Sequence, residues 1–219
     1  MIKGILFDLD GVLLSTEQFH FQAWKALADR LGIPFDQAQG DRCRGVSRMD
    51  SLDIVLEGSP RSYTPEEKLC LAEEKNNTYR SMLARLTPAD LSEETVRVLT
   101  TLRQRGYRLG LASASKNAPL ILEKTGLGKL LDGGADGNTV THSKPHPEVF
   151  FKAAESLGLD PGDCMGVDDA VAGVQAIHAA GMPAAAMGPA AQAGLGDWNL
   201  ETLSQLLEQC PPLEEANQL

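Results

Sequence analysis

The chain has little that would take it to a membrane, a nucleic acid or a disulfide scaffold. Across its 219 residues no unbroken apolar run reaches the length of a membrane span. The start, Met1-Ile2-Lys3-Gly4-Ile5, passes directly into an apolar segment with no separate basic, apolar and cleavage regions. No signal peptide is therefore expected, and the cytoplasm is the expected location. Basic residues are scarce: 20 Lys and Arg stand against 30 Asp and Glu, a formal net charge of −10. That balance argues against a nucleic-acid partner, which needs a basic face. Phosphate ligands stay open, because a local cluster of cations can recruit them on an acidic protein. Four cysteines (Cys43, Cys70, Cys164, Cys210) lie far apart with no CxxC pair. They suggest neither a zinc site nor a disulfide framework, and buried reduced thiols are expected. Repeats and low-complexity segments are lacking too.

What is present is an ordinary globular balance, 42% apolar and 23% charged. A chain of this length can bury one substantial core and carry a small second domain. Ile2 to Asp8 has the nearly all-apolar pattern of a strand buried on both faces of a parallel sheet. A helical texture follows. Phe19, Ala23, Leu27 and Leu31 recur every four residues before Gly32 and Pro34. Ser47 and Asp50 have capping-box spacing, and Gly58 can close the short helix they open. Thr64-Pro65-Glu66-Glu67 starts a further helix that could run to about Leu86.

From Ser92 the rhythm alternates. A helix from Ser92 to Arg105 precedes a strand at Leu109 to Ser113, and a second helix ends near Gly126. A weaker strand signal surrounds Leu131 to Ala135. Next come a helix at about Glu148 to Leu157, a Pro161-Gly162 turn and a strand at Cys164 to Val167. A helix from about Ala170 to Ala180 and the apolar run Ala184 to Met187 complete the pattern. Alternation at this spacing predicts right-handed βαβ crossovers and a doubly wound parallel sheet, an α/β fold of Rossmann-like type. The expected domains are an α/β core from 1–14 and 87–219 and an inserted helical cap from 15–86. The insertion leaves the core beyond a strand's carboxyl end, where parallel sheets bind ligands, so a lid is expected.

Every pointed polar signal falls at the end of a predicted strand: Asp8-Leu9-Asp10-Gly11, then Ser113-Ala114-Ser115-Lys116-Asn117, then Lys144-Pro145, then Asp168-Asp169. In a doubly wound sheet these loops converge on one crevice. About four carboxylates crowded there cannot all stay ionised without a cation. Oxygen ligands with little nitrogen or sulfur suit magnesium. A lysine and a hydroxyl beside the metal would orient a transferring phosphoryl group. Asp8 is the candidate nucleophile, and Asp10, two residues on, the candidate general acid and base. Asp-x-Asp alone is weak, since acidic residues at strand ends often cap the next helix; the four signals in order carry the reading.

Asp8-Leu9-Asp10-Gly11-Val12, Ser113, Lys144-Pro145 and Gly166-Val167-Asp168-Asp169 resemble the four motifs of the haloacid dehalogenase superfamily. The resemblance covers essentially the whole chain. Within that superfamily the chain is similar to the β-phosphoglucomutase family. The segments carrying this are Thr16-Glu17-Gln18-Phe19-His20-Phe21-Gln22-Ala23-Trp24, Arg44-Gly45-Val46-Ser47-Arg48-Met49-Asp50-Ser51-Leu52, Lys75-Asn76-Asn77 and Leu111 to Asn117. The resemblance implies Asp8 as nucleophile and Asp10 as acid/base. It implies magnesium held by the Asp8 carboxylate, the Asp10 backbone carbonyl and Asp169, with Asp168 helping through water. Ser113, with Ala114, and Lys144 would bind the transferring phosphoryl group. Arg48, Ser115, Lys116 and Asn117 would hold the second phosphate of a sugar bisphosphate. Thr16, His20, Arg44, Ser51 and Lys75 would come from the cap onto substrate.

The activity so implied interconverts β-D-glucose 1-phosphate and glucose 6-phosphate through a bisphosphate intermediate. Two anion sites would serve it: Lys144 at one, Arg48 and Lys116 at the other. The expected partner is a small sugar phosphate, with no nucleic acid or membrane, and the chain is expected to act as a monomer. The alternatives are a sugar-phosphate phosphatase of the same superfamily and a phospho-signalling receiver. A receiver fits less well, because its acceptor aspartate normally lies mid-chain and it lacks a helical insert. Against the family pattern, Arg44 stands for the usual lysine, Asp168 for glutamate and Ser15 for a frequent aspartate.

Overall fold

The computed structural model describes residues 1–43 and 47–213. Six strands form one sheet: β1 (Gly4–Phe7), β2 (Arg108–Ala112), β3 (Gly133–Ala135), β4 (Cys164–Asp168), β5 (Ala184–Ala186) and β6 (Trp198–Asn199). Their order is β3-β2-β1-β4-β5-β6, and every pairing is parallel. This is the doubly wound α/β fold that the alternating pattern predicts. The chain winds one way from β1 through β2 to β3, then returns to β1's other side at β4. The reversal opens a crevice beyond the carboxyl ends of β1 and β4, where such sheets bind ligands.

Ten helices accompany the sheet: α1 (Glu17–Leu31), α2 (Gln37–Arg42), α3 (Arg48–Leu56), α4 (Pro65–Leu83), α5 (Glu93–Gln104), α6 (Ala118–Thr125), α7 (Glu148–Ser156), α8 (Val171–Ala179), α9 (Gly188–Gln192) and α10 (Leu206–Gln209). They are the α-helices among the described residues. Contacts divide the chain into two compact units, residues 1–15 with 87–219 and residues 16–86.

In the α/β unit, β1 is wholly buried because its four residues, Gly-Ile-Leu-Phe, pack on both faces. A core cluster joins Leu6 and Ala112 to Val149, Phe150, Ala153 and Ala154 of α7 and to Val174 and Ile177 of α8. Complete burial of a side chain such as Phe150 contributes about 1.5–3 kcal/mol, and truncating it to alanine would cost about 3–5. The ladder continues past two strand ends: Asp8 N–H donates to Val167 O at 2.9 Å, and Ser113 N–H to Ala135 O at 3.1 Å. Backbone hydrogen bonds thus fix where these two polar residues begin.

In the helical unit, α1, α3 and α4 close over Trp24, Leu27, Ala28, Leu52, Val55, Leu71 and Ala72. Helices α3 and α4 start on side-chain caps. Ser47 Oγ accepts from Asp50 N–H, and Thr64 Oγ1 accepts from Glu67 N–H while Glu67 answers to Thr64 N–H. Gly32, at φ +70°, ends α1. The sequence pattern overlooks α2, although Asp36 and Gln39 form a complete capping box before it. Helix α4 stops at Leu83 rather than about Leu86, and α3 at Leu56 ahead of Gly58. One expectation is corrected outright: Cys164 and Cys210 are buried, but Cys43 is half-buried and Cys70 exposed. The inward stripe of α4 is Leu71, Ala72, Lys75, Asn76, Tyr79 and Leu83, and Cys70 lies off it. No helix among the described residues is long and apolar enough to cross a membrane.

Candidate active site

At the carboxyl ends of β1 and β4 three carboxylates and one ammonium meet. Lys144 Nζ stands 2.5 Å from Asp8 Oδ1 and 2.7 Å from Asp168 Oδ2, bridging adjacent strands. Asp168 also accepts from Ala170 N–H at 3.0 Å, which turns its carboxylate over the start of α8. The approach is close enough that α8 needs a glycine. A methyl group at Gly173 would stand 2.0 Å from the Asp168 carboxyl group. Gly11 has the same role toward Asp169: its φ is +87°, and a methyl there would lie 2.1 Å from Oδ2. Lys144 lies 5.2 Å above the ring centre of the buried Phe150, which couples the core of α7 to the site.

The carboxylates are crowded. Asp8, Asp168 and Asp169 carry oxygens within 4.8 Å of one another, and the Lys144 ammonium bridges two of them. Burial pushes the Asp8 carboxyl up to about 8; Lys144 opposes this, while Asp168 and Asp10 add to it. Burial by itself would lower Lys144, but Asp168 and Asp8 outweigh it and hold the lysine above its ordinary value. A further cation is what this cluster calls for. An oxygen-only donor set of carboxylates fits magnesium in particular.

Asp10 lies past the end of β1 in a tight turn, bridged to Leu14, with Gly11 N–H donating to Leu14 O. Beyond β2, the buried Ser113 accepts from Ser115 N–H at 3.1 Å, and Ser115 Oγ from Asn117 N–H at 3.2 Å. Ala114 and Lys116 are exposed, and Asn117 is buried. The loop after β3 supports this segment: Gly137 N–H donates to Ser115 O, and Asn138 Nδ2 to Lys116 O.

The helical unit gathers a second polar group. Lys75, only 3% exposed, places its Nζ 2.8 Å from His20 Nδ1. The same Nζ lies 4.5 Å from the Trp24 ring and 4.9 Å from that of Tyr79. Tyr79 stacks on His20 with centroids 4.0 Å apart, and its hydroxyl meets Thr16 Oγ1 at 2.8 Å. Burial, reinforced by Lys75 and Arg48, lowers His20 to about 3. The imidazole is therefore neutral near pH 7. An ammonium has no lone pair to offer, so Nδ1 accepts and Nε2 carries the proton. Arg48 Nη2 donates to Asn76 Oδ1 at 3.0 Å, and Ser51 Oγ to Cys43 O at 3.3 Å. Arg44 lies outside the described residues.

Thr16, His20 and Lys75 are thus in one cluster, with Arg48 tied to the residue next to Lys75; Ser51 turns to a backbone carbonyl. Sequence reasoning assigned nothing to Tyr79, and gave Asn76 no role of its own. Their signal was the i, i+4 stripe of α4, on which Lys75, Asn76 and Tyr79 are polar positions facing inward. Trp24, part of the core of the helical unit, also faces the Lys75 ammonium.

The chain belongs to the haloacid dehalogenase-like hydrolases: residues 2–181 match that family's model. Among its relatives, β-phosphoglucomutase of Bacillus subtilis is 40% identical over 189 residues, 85% of this chain and 84% of that protein. Fructose-1-phosphate phosphatase YqaB of Escherichia coli is 31% identical over 182 residues, 83% and 94% of the two chains. The crystal structure of β-phosphoglucomutase from Clostridium difficile aligns at a TM-score of 0.85 with 36% identity, over 95% of both chains. The chain is an enzyme of this family, and both mutases and sugar-phosphate phosphatases stand close to it.

Proposed function

We propose that the chain is a phosphosugar mutase that interconverts β-D-glucose 1-phosphate and glucose 6-phosphate. The observation carrying the phosphoryl-transfer half is the Lys144 bridge between Asp8 and Asp168 at the switch point of the sheet. In the proposed reaction a carboxylate oxygen of Asp8 attacks a phosphorus atom of β-glucose 1,6-bisphosphate. The phosphorus–oxygen bond to the sugar breaks, and Asp10 gives its proton to the departing sugar oxygen. When the 1-phosphate is the one transferred, glucose 6-phosphate leaves; β-glucose 1-phosphate then binds with its 6-hydroxyl at the site, and Asp10 takes the proton of that hydroxyl as it attacks the aspartyl phosphate. Asp8 is thereby regenerated as a carboxylate, and the bisphosphate re-forms.

Asp8, Asp168, Asp169 and the Asp10 carbonyl would hold magnesium. When bound, it supplies charge neutralisation for the phosphoryl oxygens and for the crowded carboxylates. Lys144 and Ser113, with Ala114, bind the transferring group, and Lys144 adds charge where the transition state needs it. Ser115, Lys116, Asn117 and Arg48 hold the non-reacting phosphate. Thr16, His20, Ser51 and Lys75 recognise the sugar, with Arg44 assigned by resemblance alone. A neutral His20 with its proton on Nε2 donates to a sugar hydroxyl without adding charge.

Similarity to the Bacillus and Clostridium mutases supports this reading over a phosphatase. Similarity to the Escherichia coli fructose-1-phosphate phosphatase keeps hydrolysis of sugar phosphates as the second reading. Incubation with magnesium, β-glucose 1-phosphate and a catalytic amount of β-glucose 1,6-bisphosphate separates them. The mutase yields glucose 6-phosphate with little free phosphate; free phosphate without glucose 6-phosphate would sink the proposal. Expected location in the cytoplasm and action as a monomer belong to the same reading.

A further inference from the structure

Away from the carboxylate cluster, the segment that carries Lys144 holds a second group of metal-ligating side chains. His142, His146 and Glu148 present nitrogen and oxygen atoms that all lie within 4.8 Å of one another. The two imidazoles lie with ring centres 4.5 Å apart and planes tilted by 32°. His142 Nδ1 stands 3.0 Å from Glu148 Oε2, with one proton between nitrogen and carboxylate where a metal ion could sit instead. Tetrahedral zinc with bonds of about 2.0–2.1 Å sets its ligand atoms about 3.3 Å apart, so the cluster needs only small side-chain rotations.

The surroundings orient the carboxylate as an outer shell orients a metal ligand. Glu148 accepts from Thr141 N–H at 3.1 Å and His142 N–H at 2.8 Å, and pairs with Lys152 at 3.0 Å. His146 is held more loosely, accepting from Glu148 N–H at 3.3 Å, a contact that ligation would replace. Both histidines are exposed, which leaves an entry path. The donor set separates the two clusters by chemistry. Two imidazoles and a carboxylate suit zinc and neighbouring transition metals; Asp8, Asp168 and Asp169 offer oxygen alone and suit magnesium.

We propose that His142, His146 and Glu148 form a transition-metal site of the zinc class, completed by water, where the loop that carries Lys144 enters α7. It is independent of the mutase reading, since none of its ligands takes part in the reaction. Calorimetric titration of the full chain with zinc tests it, in a Cys70→Ser background and with magnesium in large excess. The exposed thiol then cannot compete, and the carboxylate cluster is occupied. The expected result is one zinc ion per chain, with binding weakened at least about tenfold in Glu148→Gln and abolished in His142→Ala/His146→Ala. Circular dichroism would verify that both variants fold. No zinc uptake by the parent, or zinc bound by the double variant within tenfold of the parent, would overturn the proposal.

Discussion

The two units place their polar groups by different means. In the α/β unit, Asp8, Asp168 and Lys144 come from places as much as 160 residues apart, and the parallel ladder sets where the two aspartates stand. They meet as direct ion pairs at 2.5 and 2.7 Å. In the helical unit, Lys75, Asn76 and Tyr79 share one face of α4, where aromatic rings and hydrogen bonds with His20, Arg48 and Thr16 surround them. Charge is concentrated in the first unit and insulated in the second. Strand ends thus suit chemistry that handles a phosphoryl group; a helix face suits recognition of a neutral polyol.

The largest test of that contrast is Asp8→Asn, which removes the proposed nucleophile. Turnover should fall by about four orders of magnitude or more, with the circular dichroism spectrum unchanged. Next is Lys144→Met, which leaves two carboxylates buried without their ammonium. Unfolding free energy should drop by about 3–5 kcal/mol in denaturant titrations without magnesium, and kcat by about 100- to 1,000-fold. Arg48→Ala, in the helical unit, should spare hydrolysis of a small phosphoester while cutting mutase turnover at least about tenfold. Equal loss in both assays would erase the distinction between the units.

The two units should also respond oppositely to pH. Asp8 is raised in the folded, metal-free chain, to about 8. Its contribution to stability is therefore fully present below the ordinary aspartate range and is lost as pH climbs through about 8. His20 is lowered to about 3, so its contribution is present above the ordinary histidine range and is lost as pH falls toward 3. Thermal denaturation with chelator should show the alkaline-side decline flattened in Asp8→Asn. The acid-side decline should flatten in His20→Gln. The smallest effect expected is that of Tyr79→Phe, which removes the hydroxyl facing Thr16 and should cost about 1 kcal/mol.

The same contrast explains what could be seen in the sequence. Strands β1, β2 and β4 are short apolar runs ending in Asp, Ser and Asp, and both their type and their polar ends stand out. The α/β class followed from alternation alone. Strand β6, two residues long and half-exposed, has no pattern to detect. Strand order was not legible either, because parallel pairing leaves no local mark. The helical unit was harder. Helix α2 has six residues and none buried, so periodicity misses it, although its capping box was there to be found. Tyr79 and Asn76 look like ordinary helix residues until α4 is seen to turn them inward beside Lys75. Lys75, His20 and Arg48 entered the reading through family resemblance, not through spacing.

The most direct test of the central claim is the site of covalent phosphorylation. The chain is to be incubated with magnesium and β-glucose 1,6-bisphosphate and quenched in acid. Borohydride reduction of the acyl phosphate, followed by peptide mass spectrometry, then locates the modified residue. The account predicts a single modification, at Asp8, and none in Asp8→Asn. Modification at another residue, or undiminished labelling of Asp8→Asn, would contradict it.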